Sequence, residues 1–453
     1  MDLVRAIGDC KSKQEEDSIV GREVVNLRVR LADASAQGRM RELMIRMMYC
    51  EMLGHRVEFG YIHAVNLTQR PTLTEKRTGY LAASLFLDSA SELLILLVNT
   101  LQRDLKSTNH WVVCAALSSA GRLMGADTIP AVLKLVKDLV QHQEAHVRKQ
   151  TLIALHGFLR TAPESVQDCV DVHKRALSDR DPSVMSAGLN GLFDLAKKNP
   201  GAYTSVVPSL VVILKQIVEH RLPRDYDYHR MPAPWLQIKL LKLLAVLGHA
   251  NQRASEEMYE VIREAMQATD LKTTIGFAIM FECIRTITRI YPQAQLLAAA
   301  AEHTSRFVTS DNRNLRYIGI DALSAIVSVN AEYAKQHQMA VIECLEDHDE
   351  TLRRKTLALL FAMTNAQNAE FVVARMVEYL KSTRDDFLKR DLVAKITSLA
   401  EKFAPSNSWY IQTMNSVFES GGDLVSLDGF LPPAMLISLY LCVCGPCANR
   451  RTL

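Results

Sequence analysis

The sequence predicts an all-α protein. Hydrophobic residues make up 48% of the 453 residues and charged residues 23%, which provides enough apolar material for a continuous core. Aromatic residues account for only 6% of the chain. The 19 Gly and 14 Pro together make up about 7% of it, well below the roughly 12% that these two residue types contribute on average. Apolar residues recur at the i, i+3, i+4, i+7 spacing of a helix, for example in 236–247. Few strand formers, few turn formers and helical periodicity together indicate helices.

Several segments show where helices begin and which side they bury. Residues 72–75 have the pattern of a capping box. Residues 93–98 are apolar without interruption, which predicts a helix covered on most sides. Residues 131–140 place their apolar side chains on one helical face. Asp181 followed by Pro182 predicts a helix start, with the carboxylate as N-cap and the proline in the first turn.

A sequence template recurs along the chain. An acidic residue or Asn is followed three residues later by an aliphatic residue, usually then by Arg or Lys, and by further aliphatic residues. Copies begin at Asn109, Glu144, Asp181, Asn312, Asp349 and Asp385. Neighbouring copies lie about 36 residues apart except between 181 and 312, and this period fits two antiparallel helices with their turns. The template therefore predicts a right-handed α-solenoid of HEAT/armadillo-like helix pairs.

The template also predicts a role for each of its positions. The first residue caps the second helix of a pair, and the aliphatic residues face the core. The basic residue, such as Arg148, keeps its charge in water or pairs with an acidic cap of a neighbouring repeat. Because no single repeat buries its own apolar face, we expect residues 1–430 to form one trunk, followed by an apolar, cysteine-rich tail of different character at 431–453.

The segment 221–235 interrupts the repeat spacing and is predicted to be a long loop between repeats. It carries four aromatic or imidazole side chains, Tyr226, Tyr228, His229 and Trp235. These residues either form a site for a partner, or Trp235 and the two prolines just before it pack the loop against the next helix pair.

Composition and motifs argue against several classes of function. A net charge of +3 provides no general positive field for nucleic acid. The N-terminus lacks the apolar stretch of a secretory signal, and uninterrupted apolar stretches are far shorter than a membrane span. Nine scattered cysteines indicate reduced thiols in a cytosolic protein. Glycine-rich nucleotide-binding motifs, nucleophile elbows and zinc-protease motifs are all missing, so we predict neither an enzyme nor a cofactor.

Two groups of residues in the sequence have side chains of the types that bind metal ions. His142 and His146 have a spacing compatible with a metal on a helix, but Glu144 between them occupies a cap position, which favours a turn. A second group, Cys442, Cys444 and Cys447, offers three thiols without a fourth ligand nearby. The sequence therefore predicts no metal site.

Several longer strings resemble a known family. They include RMMYCEMLGHRVEFGYIHAVNL (46–67), PAPWLQIKLLKLLAVLG (232–248), NLRYIGIDAL (314–323) and TNAQN (364–368). In order along about residues 10–428, they resemble the N-terminal trunk of the large adaptin subunits of heterotetrameric vesicle-coat adaptor complexes. Within that family the resemblance is greatest to the epsilon branch, which belongs to the fourth adaptor complex.

The resemblance implies a non-catalytic scaffold that helps to select transmembrane cargo at the cytosolic face of trans-Golgi and endosomal membranes. Its implied partners are a small, a medium and a second large adaptor subunit, an Arf-type GTPase and the sorting signals of cargo, with peripheral membrane contact and no nucleic acid. Two alternatives stay open: a large subunit of a different adaptor complex, and a solenoid of the nuclear-import type. The latter would more often carry an Asn or Trp ladder, which the sequence lacks.

The resemblance also implies candidate site residues. In the related alpha subunit a basic cluster before the matching LGH string holds phosphoinositide headgroups, and the corresponding residues here are Arg39, Arg41 and Arg46. The alpha subunit also uses an Arg beside the string CKSK to bind acidic dileucine signals. Gly8 stands at that position in this chain, so only Arg5 or Lys11 can substitute for the missing charge.

Overall fold

The fold is that of a computed structural model, which describes residues 2–33 and 38–422. These residues divide into two compact units with a boundary between Tyr291 and Pro292. Within the described ranges all regular structure is helical, apart from one isolated bridge between Tyr228 and Met231. The predicted all-α fold is therefore confirmed. The proposed tail, 431–453, lies outside the described residues, and the single trunk over 1–430 stays a prediction.

The N-terminal unit contains fifteen α-helices within its described residues. They are α1 (Asp2–Gly8), α2 (Lys13–Ala32), α3 (Met40–Met52), α4 (Tyr61–Thr68), α5 (Leu73–Phe86), α6 (Leu93–Asp104), α7 (His110–Leu123), α8 (Ile129–Asp138), α9 (Ala145–Thr161), α10 (Val170–Arg175), α11 (Pro182–Lys198), α12 (Val207–Val218), α13 (Pro234–Leu247), α14 (Gln252–Ala268) and α15 (Thr274–Ile287). From α4 onward each even-numbered helix packs against the odd-numbered helix that follows it, and α3, α5, α7, α9, α11, α13 and α15 pack side by side in one layer. This is the arrangement of an α-solenoid.

The C-terminal unit contains seven helices within its described residues. They are α16 (Ala294–Val308), α17 (Arg313–Val329), α18 (Tyr333–Glu343), α19 (Glu350–Met363), α20 (Ala369–Ser382), α21 (Asp386–Phe403) and α22 (Asn407–Gly421). The pairs α16–α17, α18–α19 and α20–α21 repeat the same packing, and α17, α19 and α21 form its layer of second helices.

The first residue of the template is an N-cap in five of its six copies. Asn109, Asp181, Asn312, Asp349 and Asp385 each accept a hydrogen bond from a backbone amide in the first turn of the following helix. Glu144 occupies the same position before α9, but its side chain makes no capping bond. The shorter Asp side chain has the length that reaches the amides two and three residues on, and the Glu side chain is one methylene longer.

The basic residue of the template pairs with a carboxylate two positions before the predicted one. Arg148 makes a bidentate pair with Asp179, with nitrogen–oxygen distances of 2.8 and 2.9 Å. Arg316 pairs with Asp347 at 2.7 Å in the C-terminal unit. Both carboxylates lie two residues before the cap of the next repeat, where each also accepts a hydrogen bond from the backbone amide of the cap residue. The predicted pairing with the cap itself is therefore wrong at both positions.

The repeats continue between 181 and 312, where the template is lost. The second helices there are α13 and α15, which begin after Ala233 and Thr273. Ala233 has a left-handed backbone with φ of 36° and no side chain that caps, so the template has no acidic residue to mark this helix start. Residues 219–233 connect α12 to α13, which confirms a long loop here, but these two helices form one pair, so the loop lies within a repeat and not between repeats.

Two apolar segments differ from their predictions. Helix α6 buries Leu94 and Leu97, but Ile95 and Leu96 are 69% and 50% exposed, so the prediction of a helix covered on most sides is wrong. One stretch, Pro200–Val218, is long and apolar enough to cross a membrane by those two criteria alone. In the structure it is a 3-10 turn followed by α12, and Leu210 and Leu214 of that helix are fully buried in the unit.

Candidate functional site

A cleft of about 650 Å³ crosses the second helices of the first repeats. Helices α3, α5, α7 and α9 each place one basic side chain in its wall, and these residues are Arg41, Arg77, Arg122 and Lys149. The lining contains no Asp or Glu. We refer to it as the basic cleft.

The four cations of the basic cleft make no ion pair with any residue in the described part of the chain. Arg41, Arg77 and Arg122 are exposed and Lys149 is half-buried. The neighbouring Arg148 contrasts with them, because its guanidinium is bound to Asp179. Cations left unpaired on one concave surface attract anions.

The floor and rim of the basic cleft combine hydroxyl groups with apolar side chains. Ser84 and Ser119 lie 3.4 Å apart through their hydroxyl oxygens. Leu81 and Trp111 are 55% and 48% exposed at the rim. The ring of Trp111 stacks on His146 with centroids 5.5 Å apart. The cleft therefore presents a polar floor, apolar edges and a positive wall.

A buried ion pair holds the helix that carries Arg77. The ammonium group of Lys76 lies 2.9 and 2.7 Å from the two carboxylate oxygens of Asp104 in α6, and it also donates to the carbonyl of Thr68 at 2.9 Å. Tyr80, which lines the basic cleft, donates its hydroxyl to Asp104 at 2.8 Å. Burial, together with the Asp104 carboxylate, raises the pKa of Tyr80 far above its usual range.

The same layer of helices exposes further apolar side chains. Ile45 of α3, Leu85 of α5 and Ile153 of α9 are 50%, 39% and 39% exposed. Exposed apolar residues that are contiguous with a polar, charged site are typical of protein interfaces.

The structure separates the three arginines of the predicted lipid site. Arg39 is exposed and precedes α3, and Arg41 is exposed in the basic cleft. Arg46 is three-quarters buried and pairs with Glu23 of α2 at 2.7 Å and with Glu42 at 3.5 Å. Arg46 therefore joins α2 to α3, while Arg39 and Arg41 keep their charge free for solvent or a ligand.

The residues predicted to replace a missing cargo-binding arginine lie at the N-terminal end. Arg5 is exposed in α1, and Lys11 is exposed in the turn that leads to α2, where Ser12 is the N-cap. Gly8 ends α1, and a Cβ atom built on it would meet nothing within 4 Å. An arginine side chain at this position would therefore project into open space.

The histidines considered as metal ligands contact neighbouring protein groups instead. His142 accepts a hydrogen bond from the Glu144 amide at 3.0 Å in a turn, and His146 stacks on Trp111. Within residues 2–33 and 38–422 no group of three His, Cys, Asp or Glu side chains could hold a metal ion. The group at 442–447 lies outside the described residues.

Part of the aromatic segment 221–235 is packed against the protein, and part of it is exposed. Pro232 and Pro234 are buried, whereas Pro223 is exposed, and Tyr226 donates to Asp181 at 2.9 Å, so the loop is packed onto the start of α11. Trp235 is nevertheless 56% exposed and meets Tyr228 edge to face with centroids 4.9 Å apart. The predicted packing is confirmed for the prolines and wrong for Trp235.

Sequence reasoning found Arg41 but missed its companions in the basic cleft. Arg77, Arg122 and Lys149 come from three different repeats and share no motif. One sequence signal could have indicated Lys149. It directly follows the template arginine Arg148, whose side chain reaches Asp179 of the neighbouring repeat. Adjacent helical residues diverge by about 100°, so Lys149 points elsewhere.

Comparisons with known proteins agree with this architecture. A family model described as the adaptin N terminal region matches residues 16–429. The chain is 49% identical over 428 residues to the AP-4 complex subunit epsilon of Arabidopsis thaliana, which covers 94% of the chain and 46% of that protein. It is 44% identical to the human AP-4 complex subunit epsilon-1, with 94% and 38% covered. Identity to the AP-1 complex subunit gamma-2 of Arabidopsis thaliana is 30%, with 94% and 50% covered. The predicted resemblance to the epsilon branch is thus confirmed.

The chain spans less than half the length of the two epsilon relatives. Among solved structures, a homology model of the full-length AP-3 complex matches with a TM-score of 0.60 and 21% identity, covering 84% of this chain and 69% of that one. A crystal structure of importin beta matches with a TM-score of 0.51 and 12% identity, covering 90% and 56%. At these identities both matches show the helical solenoid fold alone.

Proposed function

The chain belongs to the family of the adaptin N-terminal region, and from this premise we propose that it is a non-catalytic scaffold subunit of a vesicle-coat adaptor complex. The single observation that carries the proposal is the match over residues 16–429, together with 43–49% identity to AP-4 epsilon subunits of plants and mammals. Its partners would be a small, a medium and a second large adaptor subunit. Recruitment by an Arf-type GTPase to the cytosolic face of trans-Golgi or endosomal membranes completes the proposal.

The exposed surface of the N-terminal unit supports a role as scaffold. Apolar side chains such as Ile45 and Leu85 remain exposed on the same layer of helices as the basic cleft. A subunit that covers this layer would bury them, and obligate interfaces are larger and more apolar than ordinary surface. We assign the exposed apolar residues of this layer that lie outside the lining of the basic cleft to the small adaptor subunit.

Affinity purification of the tagged full chain from cells tests the proposal. We expect the small, medium and second large adaptor chains to be recovered with it. The variant Ile45→Asp with Leu85→Asp should lose the small chain at least tenfold, because two charges would enter an apolar interface. Recovery is measured by quantitative mass spectrometry.

A matched variant in the other layer controls this experiment. Ile95→Asp with Leu96→Asp changes two apolar residues of α6 that are at least as exposed as Ile45 and Leu85, and it should leave recovery of the small chain within twofold of wild type. If the α6 variant loses the small chain and the Ile45, Leu85 variant keeps it, the interface lies on the layer of first helices, which contradicts the assignment. Failure to recover any adaptor chain with wild-type protein would overturn the proposed function.

Membrane contact through the arginines before and within α3 is a second proposal. We expect Arg39→Glu with Arg41→Glu to weaken binding of the assembled complex to anionic vesicles about tenfold at low salt, since each cation near such a surface contributes about 1 kcal/mol. The difference should shrink as salt rises. Adding Arg46→Glu would lower binding further, but it also breaks the pair with Glu23, so assembly must be checked for the triple variant.

The charge-matched control for the vesicle experiment is Lys106→Glu with Lys134→Glu, two exposed lysines without an ion pair in the described residues. This control should bind vesicles like wild type. If the Arg39→Glu, Arg41→Glu variant also binds vesicles like wild type at low salt while the complex stays assembled, these arginines do not contact the membrane and are only exposed to solvent at the start of α3.

For cargo, we propose that acidic dileucine signals bind this subunit through Arg5 or Lys11. The supporting observation is that both side chains are exposed on either side of Gly8.

A further inference from the structure

We propose that the basic cleft binds an acidic, extended segment of a partner protein. The proposal deepens the scaffold function, because it adds a specific recognition site and a ligand chemistry to a surface otherwise described only as apolar. It rests on four unpaired cations that converge from four successive repeats on one cavity of about 650 Å³.

The spacing of the cations decides between an extended and a compact ligand. Arg41, Arg77, Arg122 and Lys149 belong to α3, α5, α7 and α9, which pack side by side. Neighbouring packed helices lie about 8–10 Å apart, so the row spans about 24–30 Å. An extended chain covers this length with about eight residues at about 3.3 Å each. A single phosphate or inositol ring would reach the cations of only two adjacent helices, which favours the extended segment.

The rest of the lining fits a peptide. Leu81 and Trp111 lie exposed at the rim between the cations and provide contacts for apolar side chains of a bound segment. Thr78, Ser84 and Ser118 line the cleft with hydroxyl groups, which bind either backbone amides or carbonyls. Acidic side chains would meet the arginines, whose planar guanidinium groups bind carboxylates through two hydrogen bonds.

We commit to a partner protein as the source of the segment, because residues 34–37 and 423–453 do not complement the charge of the cleft. Residues 34–37 carry no charge, and residues 423–453 contain two acidic residues, Asp423 and Asp428, against Arg450 and Arg451. Neither part of the chain outside the described residues can neutralise four cations. Within the described ranges the four cations already stand apart from every carboxylate, so an external acidic segment is the occupant that complements the charge.

The test measures binding of a synthetic peptide to the full chain, immobilised through a terminal tag. The probe is a fluorescein-labelled nine-residue peptide with four glutamates separated by serine and leucine. We expect Arg77→Glu with Arg122→Glu to weaken binding at least tenfold at low salt. The control Lys106→Glu with Lys134→Glu carries the same change in net charge and should bind within twofold of wild type. A peptide with glutamine in place of glutamate should bind wild type at least tenfold more weakly.

A charge swap adds a readout that a merely unfolded variant cannot give. A peptide with lysine in place of glutamate should bind the Arg77→Glu, Arg122→Glu variant more tightly than it binds wild type. If that variant loses its helical circular-dichroism signal, Arg77→Gln with Arg122→Gln replaces it, with an expected loss of at least threefold.

Two results would overturn the proposal. One is equal affinity of the glutamate peptide for the cleft variant and the control. The other is tighter one-to-one binding of inositol hexakisphosphate than of the peptide, which would make the cleft a site for a compact polyanion. Recovery of adaptor chains is scored separately on the same variants. Peptide binding without adaptor chains would refute only the scaffold function, and assembly without peptide binding would refute only the cleft.

Discussion

Replacement of Lys76 by Met is expected to destabilise the N-terminal unit by about 3 kcal/mol. Lys76 and Asp104 are 7% and 3% exposed, and the ammonium group provides two of the bonds to the carboxylate. Without it Asp104 keeps the Tyr80 hydroxyl at 2.8 Å and the peripheral Arg103 at 3.6 Å. A buried carboxylate with so little compensation is costly, since removal of one partner of a buried pair leaves the other charge unneutralised.

Hydrogen-exchange mass spectrometry measures this effect locally. A loss of about 3 kcal/mol corresponds to about a hundredfold faster exchange of the amides in α5 and α6, if they exchange by opening of the unit. Protection of α19 and α21 in the C-terminal unit serves as the internal reference.

A double variant identifies the cause of the instability. Lys76→Met with Asp104→Leu removes both charges, so it should be more stable than Lys76→Met alone, because an apolar pair of similar size can replace a buried ion pair. If the double variant is less stable by the sum of two independent losses, the pair is not coupled and packing of the lysine stem explains the effect.

Acidification from pH 6.5 to about 4 is expected to destabilise the N-terminal unit by about 3 kcal/mol through His173. This side chain is fully buried, and neither ring nitrogen meets the geometry of a hydrogen bond with any of the described residues. Burial, and secondarily the nearby His156, lower the pKa of His173 from 6.5 to about 4. Its ring lies against the backbone of Gly191, where a Cβ atom would come within 2.5 Å of it, so the imidazole has no room to turn towards water.

The sign follows from the two pKa values. Between pH 4 and 6.5 the unfolded chain binds a proton at this histidine and the folded chain does not, so protonation favours unfolding. The stabilisation is complete above about pH 6.5 and is lost as pH falls towards 4. The loss is about 1.4 kcal/mol per pH unit between these limits.

Thermal melting of wild type and of His173→Leu across this range checks the prediction. The stability of wild type relative to the variant should fall as pH falls, because the variant has no proton to take up at this position. Burial also lowers the pKa of His303 and His337 in the C-terminal unit, so both proteins retain some acid sensitivity. Parallel melting curves at all pH values would contradict the role of His173.

The sequence by itself predicted the class of fold, the helix starts marked by the template and the family. These properties are local: Asp349 caps α19 through amides two and three residues away, and Leu352, Leu357 and Leu360 are buried because their spacing matches the helical period. The family resemblance rested on contiguous strings, which the match over residues 16–429 confirmed.

Only the tertiary structure decided which side chains meet across repeats. Arg148 pairs with Asp179 rather than with the cap Asp181, and Ile95 and Leu96 face outward from an apolar helix, because each outcome depends on how a neighbouring repeat is placed. The basic cleft depends on the same property. Its cations are separated by 27 to 45 positions in the sequence and come together only because α3, α5, α7 and α9 pack side by side. Helical periodicity specifies the buried face of one helix, but the packing of successive repeats determines which exposed charges share a surface.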